Sequence, residues 1–284
     1  MENLDGKIRL LAMDLDDTLF DSKKRISKKN QEAIAAVAAQ GITVVPVTGR
    51  PRSGVPEEVT SLPGVRYIIT SNGAAAYDQE SGKDIDAAYL SKEDASFVFS
   101  FEETRQSHSE VFINGFGYTT QANIDRMLKR YEGHPLSKYI AKSRRAVKDV
   151  EKYTKDCQNG IDGMYISCKD VATRDRLYEK LKARDSIHVV LSSGGNGTGL
   201  EVEGYGADKG MAIKRLGQKL GIPVSAMIAF GDSDNDCGML KTAGYSVAMS
   251  GGTRAAKEAA SYVTASCEES GLAKALYQLG IIRK

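Results

Sequence analysis

Histidine is scarce in this 284-residue chain: His108, His134 and His188 are all it has, and they are scattered. A metal site built on imidazoles is therefore not expected. The four cysteines, Cys157, Cys168, Cys237 and Cys267, have no CxxC spacing, which excludes the familiar zinc arrangements and predicts free thiols. No apolar run approaches the length of a membrane span, and the first residues lack the charged-then-apolar pattern of a secretion signal. No membrane partner is expected, and the cytoplasm is the expected location. Charge of one sign is not in excess either. With a formal net charge of +2 and no dense Lys/Arg tract, nucleic acid is not an expected partner. The densest basic stretch, Lys142-Ser143-Arg144-Arg145, reads as a solvated helix face. Internal repeats and low-complexity tracts are also lacking. What remains is an ordinary globular composition, long enough for one large domain or two moderate ones. Any metal should be a hard, oxygen-liganded cation.

Acids at the end of an apolar run are what the chain does have. Ile8-Arg9-Leu10-Leu11-Ala12-Met13 reads as a buried strand, and Asp14-Leu15-Asp16-Asp17-Thr18-Leu19 follows it directly. In open α/β sheets such strand ends are where ligands bind. Asp14 and Asp16 lie two apart on an extended backbone, so they point to the same side. Two like charges that close repel unless a cation or a shared proton relieves them. Taken alone, the stretch also fits an Asp-rich turn with Thr18 as a helix cap.

Strand and helix alternate through the first part. A helix is expected over Ser27 to Gln40, with Ser27 as N-cap and Gly41 as its stop. Ile42 to Val47 is the next strand, with Pro46 near its end or at a ladder edge, running into Thr48-Gly49-Arg50. Val65 to Ile69 is a third, ending at Ser71-Asn72-Gly73-Ala74, and a hairpin follows around Glu80-Ser81-Gly82-Lys83. From about 91 to 190 the chain is richer in charge, with helices expected near 92–105, 121–131 and 171–183. Strands are expected there near 110–119, 163–168 and 187–192, with a hairpin turn at Asn114-Gly115-Phe116-Gly117. Phe112, Phe116 and Tyr118 are expected in that module's own core. Ser192 to Gly199 is the linker candidate. The alternation then returns: a helix from Lys209 to Leu220, a buried strand Met227 to Phe230, the loop Gly231-Asp232-Ser233-Asp234-Asn235-Asp236, and short strands at 245–249 and 262–264. The expected fold is α/β: a Rossmann-like parallel-sheet core, residues 1–85 and 191–284, interrupted by an inserted α+β module, residues 86–190.

Four separated segments each place polar groups after a strand or at a helix start: Asp14/Asp16, Thr48-Gly49-Arg50, Lys209 and Asp232/Asn235/Asp236. A parallel sheet gathers them at one edge. Together they offer acids for a divalent cation, a hydroxyl and amides for anion oxygens, and a fixed positive charge. Those are the parts that phosphoryl transfer needs. A glycine such as Gly49 lets backbone approach a phosphate closely.

At this point the sequence resembles the haloacid-dehalogenase-like phosphohydrolases, in particular their Cof-type sugar-phosphatase branch. The resemblance rests on DLDDTL (14–19), VTGR (47–50), SNGA (71–74), DKG (208–210) and GDSDND (231–236), in the family's order. It implies that the inserted α+β module is a cap, that Asp14 is the nucleophile, forming an aspartyl-phosphate, and that Asp16 is the general acid and then the base. It implies Mg²⁺ held by Asp14, the backbone carbonyl of Asp16 and Asp232, with Ser233 or Asp236 assisting. Thr48 and the amides of Gly49 and Leu15 would hold phosphate oxygens. Lys209 would pair with phosphate and Asp14, and Asn235 would orient the phosphoryl group. Arg50 and Asn72 fit substrate-facing positions, although helix starts and turns also carry such residues for structural reasons. Lys209 alone would read as a surface lysine, and Asp17 as loop chemistry. Two departures stand out: Met249-Ser250-Gly251-Gly252-Thr253 replaces the family's Gly-Asn-Ala turn, and Cys237 stands where an aliphatic residue is usual.

The expectation is a Mg²⁺-dependent phosphatase acting on a small phosphorylated metabolite, as a monomer or weak homodimer. Sugar phosphates are the first choice, with nucleotides and flavin or pyridoxal phosphates also open. The alternatives are a phosphomutase of the phosphomannomutase type or, in another class, a phospho-receiver or binding protein. A receiver needs no module of this size between its acids, and its phosphoacceptor normally follows a later strand.

Overall fold

A computed structural model describes residues 3–192 and 197–283. The chain divides into two compact units: Met1–Gly49, Pro56–Asp86 and Asp208–Lys284 form the first, Arg50–Val55 and Ala87–Ala207 the second.

The first unit is α/β. Its strands are β1 (Leu10–Met13), β2 (Thr43–Pro46), β3 (Tyr67–Thr70), β4 (Ala75–Asp78) and β5 (Lys83–Ala87), then β12 (Met227–Gly231), β13 (Tyr245–Ala248) and β14 (Tyr262–Val263). One sheet runs in the order β14-β13-β12-β1-β2, every neighbour parallel. Parallel bridges Val44–Val65 and Val47–Ile69 set β3 beside β2, and β3 continues into the antiparallel order β3-β4-β5. The unbroken apolar runs have the expected cause. Leu10 to Met13 and Met227 to Phe230 are each fully buried, because helices cover both faces of a parallel sheet. Pro46 closes β2 opposite Met13, so its missing N–H falls at the strand's end. The helix Lys28–Ala39 starts where Ser27 accepts a hydrogen bond from the Asn30 amide.

Chain order and space order differ at one place that matters. From β1 the chain moves to β2 on one side, and after the insertion it returns to β12 on the other. The strand order reverses between β1 and β12, which is where a crevice opens beyond the carboxyl ends.

The second unit is α+β. Its strands are β6 (His108–Ile113), β7 (Phe116–Thr119), β8 (Arg144–Ala146), β9 (Ile161–Ser167), β10 (Ile187–Ser192) and β11 (Gly199–Gly204), in the order β10-β11-β9-β6-β7-β8. Alternation splits this sheet cleanly. Val111, Ile113, Met164, Ile166, Leu200 and Val202 point into one core with Leu177 and Val98, while the intervening Glu110, Phe112, Tyr165 and Glu201 take the opposite face. Asn114 and Gly115 turn the β6–β7 hairpin with φ of 51° and 76°, as a two-residue turn requires.

Several expectations need correction here. The boundary expected at 190/191 falls at Ala207/Asp208, because β10 and β11 pair antiparallel with one another and β11 pairs with β9. The front boundary falls at Asp86/Ala87, and Arg50–Val55 also groups with the second unit. Of the linker candidate Ser192–Gly199, residues 193–196 lie outside the described residues, and Gly199 already begins β11. Arg144 is no solvated helix residue. It starts β8, is buried against Glu110 at 2.7 Å, and lies over the Phe112 and Tyr139 rings. Of the three aromatics assigned to the module core, only Tyr118 packs there, stacked on Tyr153. Phe112 and Phe116 instead carry the guanidiniums of Arg144 and Arg145.

Candidate active site

β1 and β12 are parallel neighbours in register, Met13 beside Phe230, so the residues that follow them emerge side by side. Asp14 follows β1 and Asp232 follows β12. One oxygen each of Asp14, Asp232 and Asp236 lies within 4.8 Å of the others. Asp236 reaches this cluster because Asp234–Asp236 form a helical turn that brings its carboxylate back to the loop's start. Its Oδ2 accepts from the amides of Asp232 and Ser233 at 2.9 and 3.0 Å.

A buried lysine binds the acids together. Lys209 opens the helix Lys209–Leu220, whose N-cap Asp208 accepts from the amides of Gly210 and Met211. The lysine is 1% exposed, and its Nζ donates to Asp14 Oδ1 and Asp236 Oδ1, each at 2.7 Å. A charged side chain is almost never so buried without a partner. The solvated reading of Lys209 is therefore wrong. Burial works against the ammonium, but the attraction of Asp14 and Asp236 outweighs it and raises the lysine's pKa. The carboxylates show the opposite imbalance. Asp14 is pushed well above its ordinary value, first by burial and then by Asp236, Asp16 and Asp232, with Lys209 opposing. Asp232 is pushed up to about 7 by burial and by Asp236, although the Thr18 hydroxyl donates to it at 3.1 Å. One ammonium among three clustered acids, two of them buried and Asp232 half-buried, leaves negative charge uncompensated. That is the donor set and the charge deficit a hard divalent cation fits.

The segment after Asp14 is a tight turn, Leu15–Leu19, in which Asp17 takes φ 60°. It leaves Asp16 outside the buried cluster, its carboxylate 2.9 Å from Lys24. Lys24 was not foreseen: the turn at Asp21–Arg25 brings it back to Asp16. Thr18 was foreseen only as a cap, and no spacing rule ties it to Asp232, which is 214 residues away.

The remaining predicted groups of the first unit line the ends of β2 and β3. Thr48 is buried, and its amide donates to Ile69 O while its carbonyl accepts from the Asn72 amide. Gly49 lies against Asn72, so close that a Cβ on it would stand 2.8 Å from Asn72 Oδ1. That oxygen also accepts from Asn235 Nδ2 at 3.0 Å. Three strand ends are thereby joined through Gly49, Asn72 and Asn235. The Ser233 hydroxyl is turned to Asn235 Oδ1 at 2.8 Å and Asp236 Oδ2 at 3.3 Å. The altered turn has a local reason. Thr253 N donates to Asp232 O at 2.7 Å, and a Cβ on Gly252 would collide with that same carbonyl. Arg50 belongs to the second unit, where its guanidinium lies 5.1 Å from the Tyr139 ring centre and donates to Gly54 O.

Comparison with known proteins agrees with this arrangement. The family model for haloacid dehalogenase-like hydrolases matches residues 11–276. The chain belongs to that family. It is a Cof-type haloacid dehalogenase-like hydrolase, and its activity is that of a phosphatase on small phosphorylated substrates. Phosphatase YwpJ of Bacillus subtilis (strain 168) is 31% identical over 293 residues, covering 96% of this chain and 100% of the relative. The 5-amino-6-(5-phospho-D-ribitylamino)uracil phosphatase YcsE of the same organism is 27% identical, covering 96% of each chain. Among solved structures, a haloacid dehalogenase-like hydrolase from Bacteroides thetaiotaomicron superposes with a TM-score of 0.79 at 25% identity, covering 96% of this chain and 99% of its own. Among the described residues no helix is long and apolar enough to cross a membrane.

Proposed function

We infer that this phosphatase hydrolyses small sugar or polyol phosphates through an aspartyl-phosphate on Asp14, with Mg²⁺ as its metal. The observation that carries the reading is the buried contact of Lys209 with Asp14 Oδ1 at 2.7 Å. It fixes the carboxylate and leaves Oδ2 as the oxygen assigned to attack. In the first step the Asp14 Oδ2–phosphorus bond forms and the phosphorus–alkoxide bond breaks, while Asp16 gives the leaving oxygen its proton. In the second step Asp16 takes a proton from water, whose oxygen attacks phosphorus and releases phosphate from Asp14. Asp14, the Asp16 carbonyl and Asp232 would hold the metal. Asp236 is assigned to Lys209 and the loop amides, and Ser233 to Asn235, so neither is needed as a direct ligand. The metal's contribution when bound is charge neutralisation at the phosphoryl oxygens. Lys209, Thr48 and the amides of Leu15 and Gly49 would share those oxygens, with Asn72 and Asn235 aligning the group.

The inserted unit is read as a cap that excludes bulk water and selects the leaving group, with Arg50 assigned to it. The substrate class takes support from the YcsE relative, whose named substrate carries its phosphate on a ribityl chain. The test is phosphate release from a panel of phosphorylated metabolites, with EDTA and Mg²⁺ arms and Asp14→Asn alongside. Turnover should require Mg²⁺ and fall by at least about four orders of magnitude in the variant, since an amide is a very poor nucleophile. Near-normal turnover by Asp14→Asn would refute the covalent route. A preference for nucleotides over sugar and polyol phosphates would refute the substrate class.

A further inference from the structure

Three consecutive residues after β3 hold left-handed backbone: Ser71 at φ 48°, Asn72 at 51° and Gly73 at 104°. Glycine takes such angles freely, but serine and asparagine stay there only where their surroundings hold them. Backbone hydrogen bonds hold the turn locally. Asn72 N donates to Thr48 O at 3.1 Å and Ala74 N to Ser71 O at 3.0 Å. The Ser71 hydroxyl is buried without a hydrogen-bond partner and adds nothing.

A further hold comes from the helix that carries Lys209. Arg215 Nη2 donates to Gly73 O at 3.1 Å, and its Nε donates to Asp86 Oδ2 at 2.6 Å. Gly73 is pressed against the start of the same helix, where a Cβ would stand 2.6 Å from Asp208 O and 3.0 Å from Ala212 Cβ. One helix therefore presents Lys209 to Asp14 and, further along, Arg215 to the turn that aims Asn72 at Asn235.

We propose that Arg215 is a positioning residue for the phosphatase reaction: steadied by Asp86, its guanidinium holds the Ser71–Gly73 turn so that the Asn72 amide stays aligned with Asn235 and Gly49. The inference rests on the reading that Asn72 and Asn235 face the phosphoryl group. Arg215 acts through Asn72, by way of the Gly73 carbonyl. A lysine can replace it only in part, because the guanidinium's fixed fork suits two acceptors in different directions.

The experiment compares Arg215→Met, Arg215→Lys and Asn72→Ala, and Arg215→Met combined with Asn72→Ala. Each is assayed for kcat and KM on a small aryl phosphate, for inhibition by orthovanadate, and by thermal melting. Arg215→Met should lower kcat about tenfold, the factor one well-placed hydrogen bond supports, and weaken vanadate in parallel while KM changes little. Arg215→Lys should recover only part of this. In the Asn72→Ala background the Arg215→Met change should cost nothing further, because the group it positions is gone. Wild-type kcat in Arg215→Met, or an equal loss in both backgrounds, overturns the proposal and leaves Arg215 as scaffold. Unchanged kinetics in Asn72→Ala alone overturn the placement of Asn72 itself, and Arg215's role with it. Should Arg215→Met fail to fold, Arg215→Lys and Asp86→Asn carry the same comparison.

Discussion

Replacing Lys209 by methionine tests the electrostatic core of the site directly. The change keeps side-chain volume and removes a buried ammonium that is 2.7 Å from both Asp14 and Asp236. Three acids would then share one pocket with no cation, and the native state must protonate at least one of them or bear the repulsion. Keeping an ordinary aspartate protonated at pH 7 costs about 4 kcal/mol, from about three pKa units at about 1.4 kcal/mol each. That sets the scale, and it agrees with the ~3–5 kcal/mol typical of breaking a buried pair. For a unit of this size it corresponds to a fall in Tm of about 10 °C. The sign with pH follows from the raised carboxyls. The folded state binds more protons than the unfolded one, so stability rises as pH falls, and the variant's deficit should shrink from pH 7 toward pH 5. The assay is thermal melting of metal-free wild type and Lys209→Met across that range, with activity measured beside it. Activity should drop by about a thousandfold or more, as for other lost transition-state donors. A variant melting within about 2 °C of wild type at pH 7 would refute the claim that Lys209 compensates this cluster.

Gly49→Ala should lower kcat at least about tenfold while changing Tm little, because the added Cβ meets Asn72 Oδ1 at 2.8 Å on an exposed loop; steady-state kinetics with melting checks it, and unchanged kcat would remove Gly49 from the site. In the second unit, the buried Asp94 accepts from Ser91 and Ser186 hydroxyls and from Arg184 Nε. Burial pushes its carboxyl up, but these donors outweigh it and hold the pKa below the ordinary value. Its stabilisation is therefore present above about pH 4 and is lost as pH falls through the depressed value. Asp94→Asn should cost about 1–2 kcal/mol at neutral pH, a deficit that fades in acid; a deficit independent of pH would refute the charge assignment.

Local pattern was enough to place the main strands of the first unit and the acids they end in. Leu10–Met13 and Met227–Phe230 had to be buried on both faces, because unbroken apolar runs have no other stable setting. The acids at 14–17 and 232–236 had to emerge at strand ends, and the hairpin at Asn114-Gly115 had to turn there, since few other residue pairs take two positive φ angles. Periodicity and turn chemistry are local, and local rules read them. What each side chain meets depends on contacts between distant segments. Lys209 and Lys24 look alike as sequence, yet one is buried between Asp14 and Asp236 while the other reaches Asp16 over a turn. Arg144 looked solvated and proves to be buried on Glu110, because the short helix before it ends early and a strand takes over. Arg50 adjoins Gly49 in the chain but packs on Tyr139. Where the second unit ends was equally out of reach, since β10 and β11 are joined to it by pairing with each other and with β9, and pairing between distant segments leaves no mark in either strand's own pattern. A side chain's burial and partners are set by segments that can lie more than two hundred residues away, as Thr18 and Asp232 do, and those distances close only when the sheet forms.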